Sequence, residues 1–241
     1  MKNTKNNTVV IIPAYNEEKN IVNLLNDLKK LNFVDVIVVD DCSTDNTKNI
    51  IENYKSTNDD INLIPIYKTK NEGKSKALRD GTKLALKMNY KYVVYMDGDY
   101  QHKPKDIPKL FKKMKEKNAN AVFGIRKYRH IPHHRKISNF LASLIMSIVI
   151  SIYSLKFVYF RDIQCGFRVI ESKFLDDIYF GDGYSVEHLL ALQLVKKGAK
   201  ITEEYVDIDY HDNAVSHITT KKIIDVGIEV AKFVIFGKPK K

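Results

Sequence analysis

Two spacings of apolar positions alternate through the first hundred residues. Thr8–Pro13 (TVVIIP) is a β-branched run stopped by proline, and Val34–Asp40 (VDVIVVD), Ile61–Tyr67 and Tyr92–Met96 have the same character. Short runs of this kind, bounded by turn residues, predict buried strands. Between them the spacing lengthens to three and four. Glu17–Leu31 is apolar at 21, 24, 25, 28 and 31, Thr44–Tyr54 opens on a cluster of capping residues, and Gly73–Met88 is apolar at 77, 84, 85 and 88. These are helix periods and helix starts. The alternation predicts an α/β domain, a mainly parallel sheet with helices on both faces.

In such sheets ligands bind beyond the carboxyl ends of the strands. Here those ends read Pro13-Ala-Tyr-Asn-Glu17, Asp40-Asp41 and Asp97-Gly-Asp99, which gathers polar and acidic residues along one edge. On an extended backbone Asp97 and Asp99 point the same way. Two carboxylates at a strand end suit a divalent cation, and Gln101 offers a further oxygen. No G-x-G-x-x-G follows the first strand, and neither G-x-x-x-x-G-K-[ST] nor G-x-S-x-G occurs. That argues against dinucleotide, P-loop and α/β-hydrolase sites.

The second half is less regular. A helix from Pro104 to Lys117 and a strand at Ala119–Gly124 precede Ile137–Tyr159 (ISNFLASLIMSIVISIYSLKFVY), a long apolar stretch with serines at 138, 143, 147, 151 and 154. A membrane span needs about 20 predominantly apolar residues, and serines about four apart form one small polar stripe on a helix. Two readings stand level: a helix lying in a membrane interface and a helix of the protein core. A true span ranks third. Helices near Tyr184–Lys197 and Thr219–Phe236 flank a strand near Ile201–Val206, and Gly237-Lys-Pro-Lys-Lys241 follows. The expected division is a catalytic domain over residues 1–217, including an apolar interface region at about 134–160, and a C-terminal amphipathic helix with a basic tail over 218–241, with no transmembrane domain after the catalytic part.

Composition adds direction. The 241 residues carry a net charge of +11, which nucleic acid, an anionic membrane or an anionic substrate would each answer. Only 6 of the 40 basic residues are Arg, and the lysines are spread along helix faces, which sets nucleic acid aside. Cys42 and Cys165 lack neighbouring Cys or His partners, so free thiols in a reducing compartment are expected and zinc is not. Met1–Thr8 is polar, with no apolar signal region. The expected location is the cytoplasmic side of a membrane, peripheral or monotopic.

Six blocks then occur in order over about residues 8–217: Pro13-Ala-Tyr-Asn-Glu-Glu18, Val38-Val-Asp-Asp-Cys-Ser-Thr-Asp45, Asn71-Glu-Gly-Lys-Ser-Lys-Ala-Leu78, Asp97-Gly-Asp-Tyr-Gln101, Arg135 with Ser138, and Asp162-Ile-Gln-Cys-Gly-Phe-Arg168. The ordered set resembles family 2 glycosyltransferases of the GT-A fold, a Rossmann-like nucleotide-diphospho-sugar transferase fold, and within them the dolichyl-phosphate mannose synthase and polyprenyl-phosphate glycosyltransferase group. The resemblance implies inverting transfer of a sugar from GDP-mannose or a UDP-hexose to a polyprenyl (dolichyl-type) phosphate, with Mg²⁺ or Mn²⁺, at a membrane surface, with room for a separate membrane partner protein. It implies that Pro13, Tyr15 and Glu17 line the nucleoside pocket and that Asp41, with Asp40 nearby, bonds the base. Lys74, Asp97 and Gly98 would complete the donor site, while Asp99 and Gln101, helped by Asp97, would hold the metal. Arg126 and Arg135 would meet phosphate oxygens, Ser138 and Arg168 would serve the acceptor phosphate, and Asp162 would lie at the sugar end; an anionic phosphate acceptor makes a strong base optional, with Asp162 first choice where one is needed.

Plainer roles stand beside these. Tyr15 is also a packing residue, Glu17 and Glu18 favour a helix dipole, Asp45 is a helix cap, and Arg168 is an ordinary surface residue. The loop with Arg129, His130, His133, His134 and Arg135 reads as an anion-facing lid. Three departures mark this chain. Cys42 stands where the family often has Gly, and Gly98 where it has Ala, both small-residue swaps. In Tyr210–His217, Asn213 and His217 stand where related enzymes carry Arg and Lys. Two rivals follow: a transferase with a soluble or polysaccharide acceptor, and a catalytically silent nucleotide-sugar binding protein.

Overall fold

The computed structural model describes residues 7–32, 35–127, 133–209 and 220–239, with side chains except at 133–136 and 220–224. The first half forms β1 (Thr8–Ala14), α1 (Ile21–Lys30), β2 (Asp35–Asp40), α2 (Thr47–Thr57), β3 (Asn62–Tyr67), α3 (Lys74–Lys87) and β4 (Tyr92–Tyr95). A 3-10 turn at Pro104–Asp106 leads into α4 (Ile107–Lys117), β5 (Ala121–Arg126), α5 (His133–Ser154), β6 (Arg168–Glu171), α6 (Val186–Lys196), β7 (Ile201–Val206) and α7 (Thr220–Phe236). One seven-stranded sheet collects the strands in the order β3-β2-β1-β4-β6-β5-β7. β6 runs antiparallel to both neighbours, through Val93↔Ile170 and Val122↔Val169, and the other pairs are parallel.

β1 shows why the sheet is covered on both sides. Val9 and Ile11 enter one apolar layer with Ala77 and Ala85 of α3, and Val10 and Ile12 enter the other with Leu24, Leu25 and Leu28 of α1. A strand buried on both faces has no polar alternation, which is why its sequence is a continuous apolar run. The four buried residues of α1, Ile21, Leu24, Leu25 and Leu28, together stabilise by roughly 6–12 kcal/mol before chain entropy opposes it. α6 is buried from Val186 through Val195, as befits a helix apolar on nearly every side.

Two differences from the sequence pattern bear on the sheet. Arg168–Glu171, in the less regular half of the chain, forms β6, an inner strand between β4 and β5. Four residues are too few to display a period. β5 begins at Ala121 rather than Ala119, because Asn118 turns left-handed (φ 45°) to close α4.

α5 is buried along one side and exposed along the other. Ser143, Ser147 and Ser154 are buried, while Ile137, Phe140, Leu141, Ile145, Ile148 and Ile152 are exposed. The serines face inward because the returning chain needs partners there. Val158 N donates to Ser151 Oγ at 3.0 Å, Phe160 N to Ser147 Oγ at 2.9 Å and Ile163 N to Ser143 Oγ at 3.2 Å. Ile137–Ser154, with a mean hydropathy of 1.8 and 28% of its residues buried, is long and apolar enough to cross a bilayer by composition alone.

Candidate active site at the sheet edge

The carboxyl ends of β1 and β4 and the start of α3 enclose a cavity of ≈ 660 Å³, lined among others by Pro13, Tyr15, Glu17, Lys74, Asp97, Gly98, Asp99 and Tyr184. Its outer wall is built by bonds between loops. Asn16 is left-handed (φ 58°), a conformation Asn tolerates, and its side-chain oxygen accepts from Thr44 N at 2.8 Å. Glu17 N donates to Thr47 Oγ1 at 2.8 Å. Asp45, one residue before the cap position Asn46, accepts from Thr47 N at 2.9 Å.

Asp40 and Asp41, which the resemblance places at the base, are bonded to the loops around them. Buried Asp41 lines the cavity but accepts from Glu72 N at 3.1 Å and Gly73 N at 2.6 Å, and pairs with Lys68 at 2.8 Å. Its carboxylate therefore shapes the wall and fixes the start of α3. Asp40 is not among the cavity-lining residues, and it accepts from Ser43 N at 3.3 Å and from the Ser43 hydroxyl.

Asp97-Gly-Asp99 is also rearranged. The extended geometry gives way to a turn: Gln101 N donates to the Asp99 carboxylate at 3.0 Å, and Tyr100 is left-handed (φ 59°) with its hydroxyl bonded to Asp27. Asp97 pairs with Lys74 at 2.6 Å, and Lys74 with Glu187 at 2.9 Å. Burial works against charge on both Asp97 and Lys74, but their attraction outweighs it: the carboxyl is held below its ordinary range and the ammonium above. Glu17, by contrast, is pushed up to about 7, chiefly by burial, with Asp99 and Asp97 adding repulsion.

At the end of β5, Arg126 Nε and Nη2 each donate to the Asp162 carboxylate at 2.7 Å, and Arg126 N donates at 3.1 Å. The Asp162 side chain is 0% exposed. A carboxylate so enclosed holds an arginine in place. Arg168 differs from expectation. It is 1% exposed, and its guanidinium donates to the carbonyls of Cys165, Glu187 and Ile163 over the ring of Phe123 at 4.0 Å. It is neither a surface residue nor placed to meet an acceptor phosphate. Ser138 lies exposed on α5. The Arg135 side chain, Arg129, His130 and Tyr210–His217 fall outside the described residues.

Glu187 and Tyr184 belong to the site without having been singled out in the sequence. Tyr184 lines the cavity. Glu187 is a buried acid in a helix that is otherwise mostly apolar, and an acid is rarely buried without a partner, a signal visible in VEHLLALQLV.

The profile of the family described as "Glycosyl transferase family 2" matches residues 9–170. The chain belongs to glycosyl transferase family 2. It is 61% identical to an uncharacterized protein of Methanocaldococcus jannaschii over 94% of this chain and 98% of that one. It is 32% identical to the UDP-N-acetylglucosamine–dolichyl-phosphate N-acetylglucosaminyltransferase of Methanococcus voltae over 69% of this chain and 70% of that one. Among solved structures, glucosyl-3-phosphoglycerate synthase of Mycobacterium tuberculosis, bound to Mn²⁺, UDP and glucosyl-3-phosphoglycerate, shares the fold at a TM-score of 0.68 and 20% identity, covering 97% of this chain and 81% of that one.

Within family 2 the two small-residue departures now have physical content. Cys42 lies at φ 64°, where a side chain is strained and Gly is not. A Cβ on Gly98 would lie 2.9 Å from Pro13 O, so Ala does not enter without a backbone shift. The metal question turns on the donor set. Among the described residues no three His, Cys, Asp or Glu side chains converge on a metal position. Asp97 and Asp99 line the cavity, and Lys74 already holds Asp97. Such a set is too sparse for a cage, but it fits a cation that takes most of its oxygens from a diphosphate and water.

Proposed function

We propose that the protein transfers a sugar from a nucleotide-diphosphate donor to a polyprenyl phosphate at the cytoplasmic face of a membrane. The observation that carries this reading is α5, which turns Ser143, Ser147 and Ser154 to the protein and six large apolar side chains outward in a chain that also holds an acidic, nucleotide-sized cavity. Lipid covers such a face; water does not. The dolichyl-phosphate relative in Methanococcus voltae and the net charge of +11, suited to anionic lipid, support the same acceptor class.

In the reaction an acceptor phosphate oxygen bonds the anomeric carbon as the bond from that carbon to the diphosphate breaks. The nucleoside diphosphate leaves and the configuration inverts. The acceptor is an anion at neutral pH and has no proton to lose, which agrees with Asp162 being committed to Arg126. Arg126, oriented by that pair, would stabilise phosphate charge as it develops. A divalent cation supplies further neutralisation of the leaving group, and Asp99 with Gln101 would hold it together with the diphosphate. Lys74, Asp97 and Gly98 would position the donor, Pro13, Tyr15 and Glu17 would contact the nucleoside, and Arg135 and Ser138 would meet the acceptor phosphate.

The test is radiolabel transfer from UDP- and GDP-sugars to polyprenyl phosphate in liposomes, with Mn²⁺ or EDTA. Label passing into the organic phase only with cation present supports the reading. Label passing only to soluble sugars or phosphoglycerate selects the soluble-acceptor rival. Nucleotide binding with no transfer to any acceptor selects the silent binding protein.

A further inference from the structure

Three consecutive residues at the start of α3 reach across to one segment of the second half. Lys74 Nζ lies 2.9 Å from Glu187, Ser75 Oγ donates to Gly183 O at 2.9 Å, and Lys76 Nζ lies 2.7 Å from Asp182. The segment bends through two left-handed glycines, Gly181 (φ 70°) and Gly183 (φ 59°), and presents Tyr184 to the cavity. From behind, Glu229 of α7 accepts from Asp182 N at 2.7 Å and from the Tyr179 hydroxyl at 3.1 Å. The clasp is enclosed on the opposite side too: a Cβ on Gly166 would lie 2.9 Å from Asp97 Oδ2 and 3.0 Å from Lys74 Nζ.

We propose that Glu187 is a positioning residue that makes the donor site select cation-loaded nucleotide: by holding Lys74 on Asp97 it keeps the ammonium from neutralising an incoming diphosphate, and it ties the Asp182–Glu187 segment across the cavity. The inference rests on the donor reading above. Asp97, Lys74 and Glu187 together carry one net negative charge beside the cavity, with Asp99 adding another. A bare diphosphate meets repulsion there, whereas a cation–diphosphate complex does not. Discrimination built on repelling the wrong ligand is a general route to specificity. Removing the Glu187 charge leaves the triad neutral, so the site then admits bare nucleotide more readily while losing the geometry that holds Asp97.

The experiment is calorimetric binding of UDP and GDP with Mn²⁺ or with EDTA, beside donor KM, kcat and melting temperature, for the wild type, Glu187→Gln and Glu187→Asp. For Glu187→Gln the cation-free affinity is expected to rise about tenfold, so that the Mn²⁺/EDTA affinity ratio narrows while kcat falls. Glu187→Asp keeps the charge but withdraws it by one methylene, so the ratio narrows less than in Glu187→Gln while kcat falls. If Glu187→Gln does not fold, Glu187→Asp carries the test: a wild-type kcat in that variant overturns the positioning role. A folded Glu187→Gln with a wild-type ratio overturns the selection role while the donor reading stands. A wild type that binds neither nucleotide under either condition overturns the donor reading and this inference with it.

Discussion

Arg168→Met separates structural from catalytic work in the Asp162–Arg168 block. The guanidinium is buried and satisfies three backbone carbonyls, those of Cys165, Glu187 and Ile163. Leaving a buried acceptor unpaired costs about 1–3 kcal/mol, so three carbonyls together cost roughly 3–9 kcal/mol. Relief from burying a charge, several kcal/mol in effect, offsets part of this, and Met fills much of the volume over Phe123. The net expectation is a loss of about 3 kcal/mol. For a chain of this size each kcal/mol moves the melting temperature by about 2–4 °C, giving a drop of roughly 6–12 °C. Differential scanning fluorimetry reads the shift, and urea titration at constant slope confirms that stability changed. Acceptor KM, measured at a temperature where the variant is folded, should stay within about threefold of wild type, less than the roughly tenfold that 1.4 kcal/mol of lost binding produces. An unchanged melting temperature with acceptor KM raised tenfold or more would refute the argument and return Arg168 to the acceptor phosphate.

Three further outcomes follow from the geometry. Cys42→Gly should gain about 1 kcal/mol, since relief of a left-handed side chain exceeds the entropy that glycine loses on folding; chemical denaturation tests this, and a loss of stability refutes it. Gly98→Ala should weaken nucleotide binding at least fivefold or so, roughly 1 kcal/mol, because its Cβ meets Pro13 O at 2.9 Å; unchanged calorimetric affinity would show that the loop simply yields. Burial lowers His102 and His188 to about 4 each. Above pH 6.5 both are neutral folded or unfolded; between 6.5 and 4 the unfolded chain takes up protons that the folded chain does not, so stability falls as pH falls, by at most roughly 3 kcal/mol per histidine. His188→Gln should flatten that slope in melting temperature against pH, and an unchanged slope counts against the assignment.

What could be read from the sequence was local. β1 to β4 and the helices between them are periodic over many residues, and Ile137–Tyr159 carried its serine row openly. What escaped depends on partners far along the chain. Asp162 and Arg126 are 36 residues apart and Lys74 and Glu187 more than a hundred, and no spacing rule links them. Arg168 has the residue type of a phosphate ligand, and only its three carbonyl partners show otherwise. The turn at Asp97–Gln101 was hidden because Tyr100 takes a conformation unusual for an aromatic residue.

The antiparallel β6, an inner strand between β4 and β5, sets a schedule for the nascent chain. β4 pairs with β1 on one side, and its other side waits for Arg168–Glu171. At 5–20 residues per second the ribosome needs on the order of 4–15 s to make the intervening stretch. During that interval an open strand edge, an invitation to mispairing, emerges together with Ile137–Ser154, a stretch apolar enough to cross a bilayer. A translating ribosome close to a bilayer would let lipid shelter that helix until β6 closes the edge. Synthesis far from any membrane leaves both surfaces in water at once, so the yield of native protein should depend on where in the cell it is made.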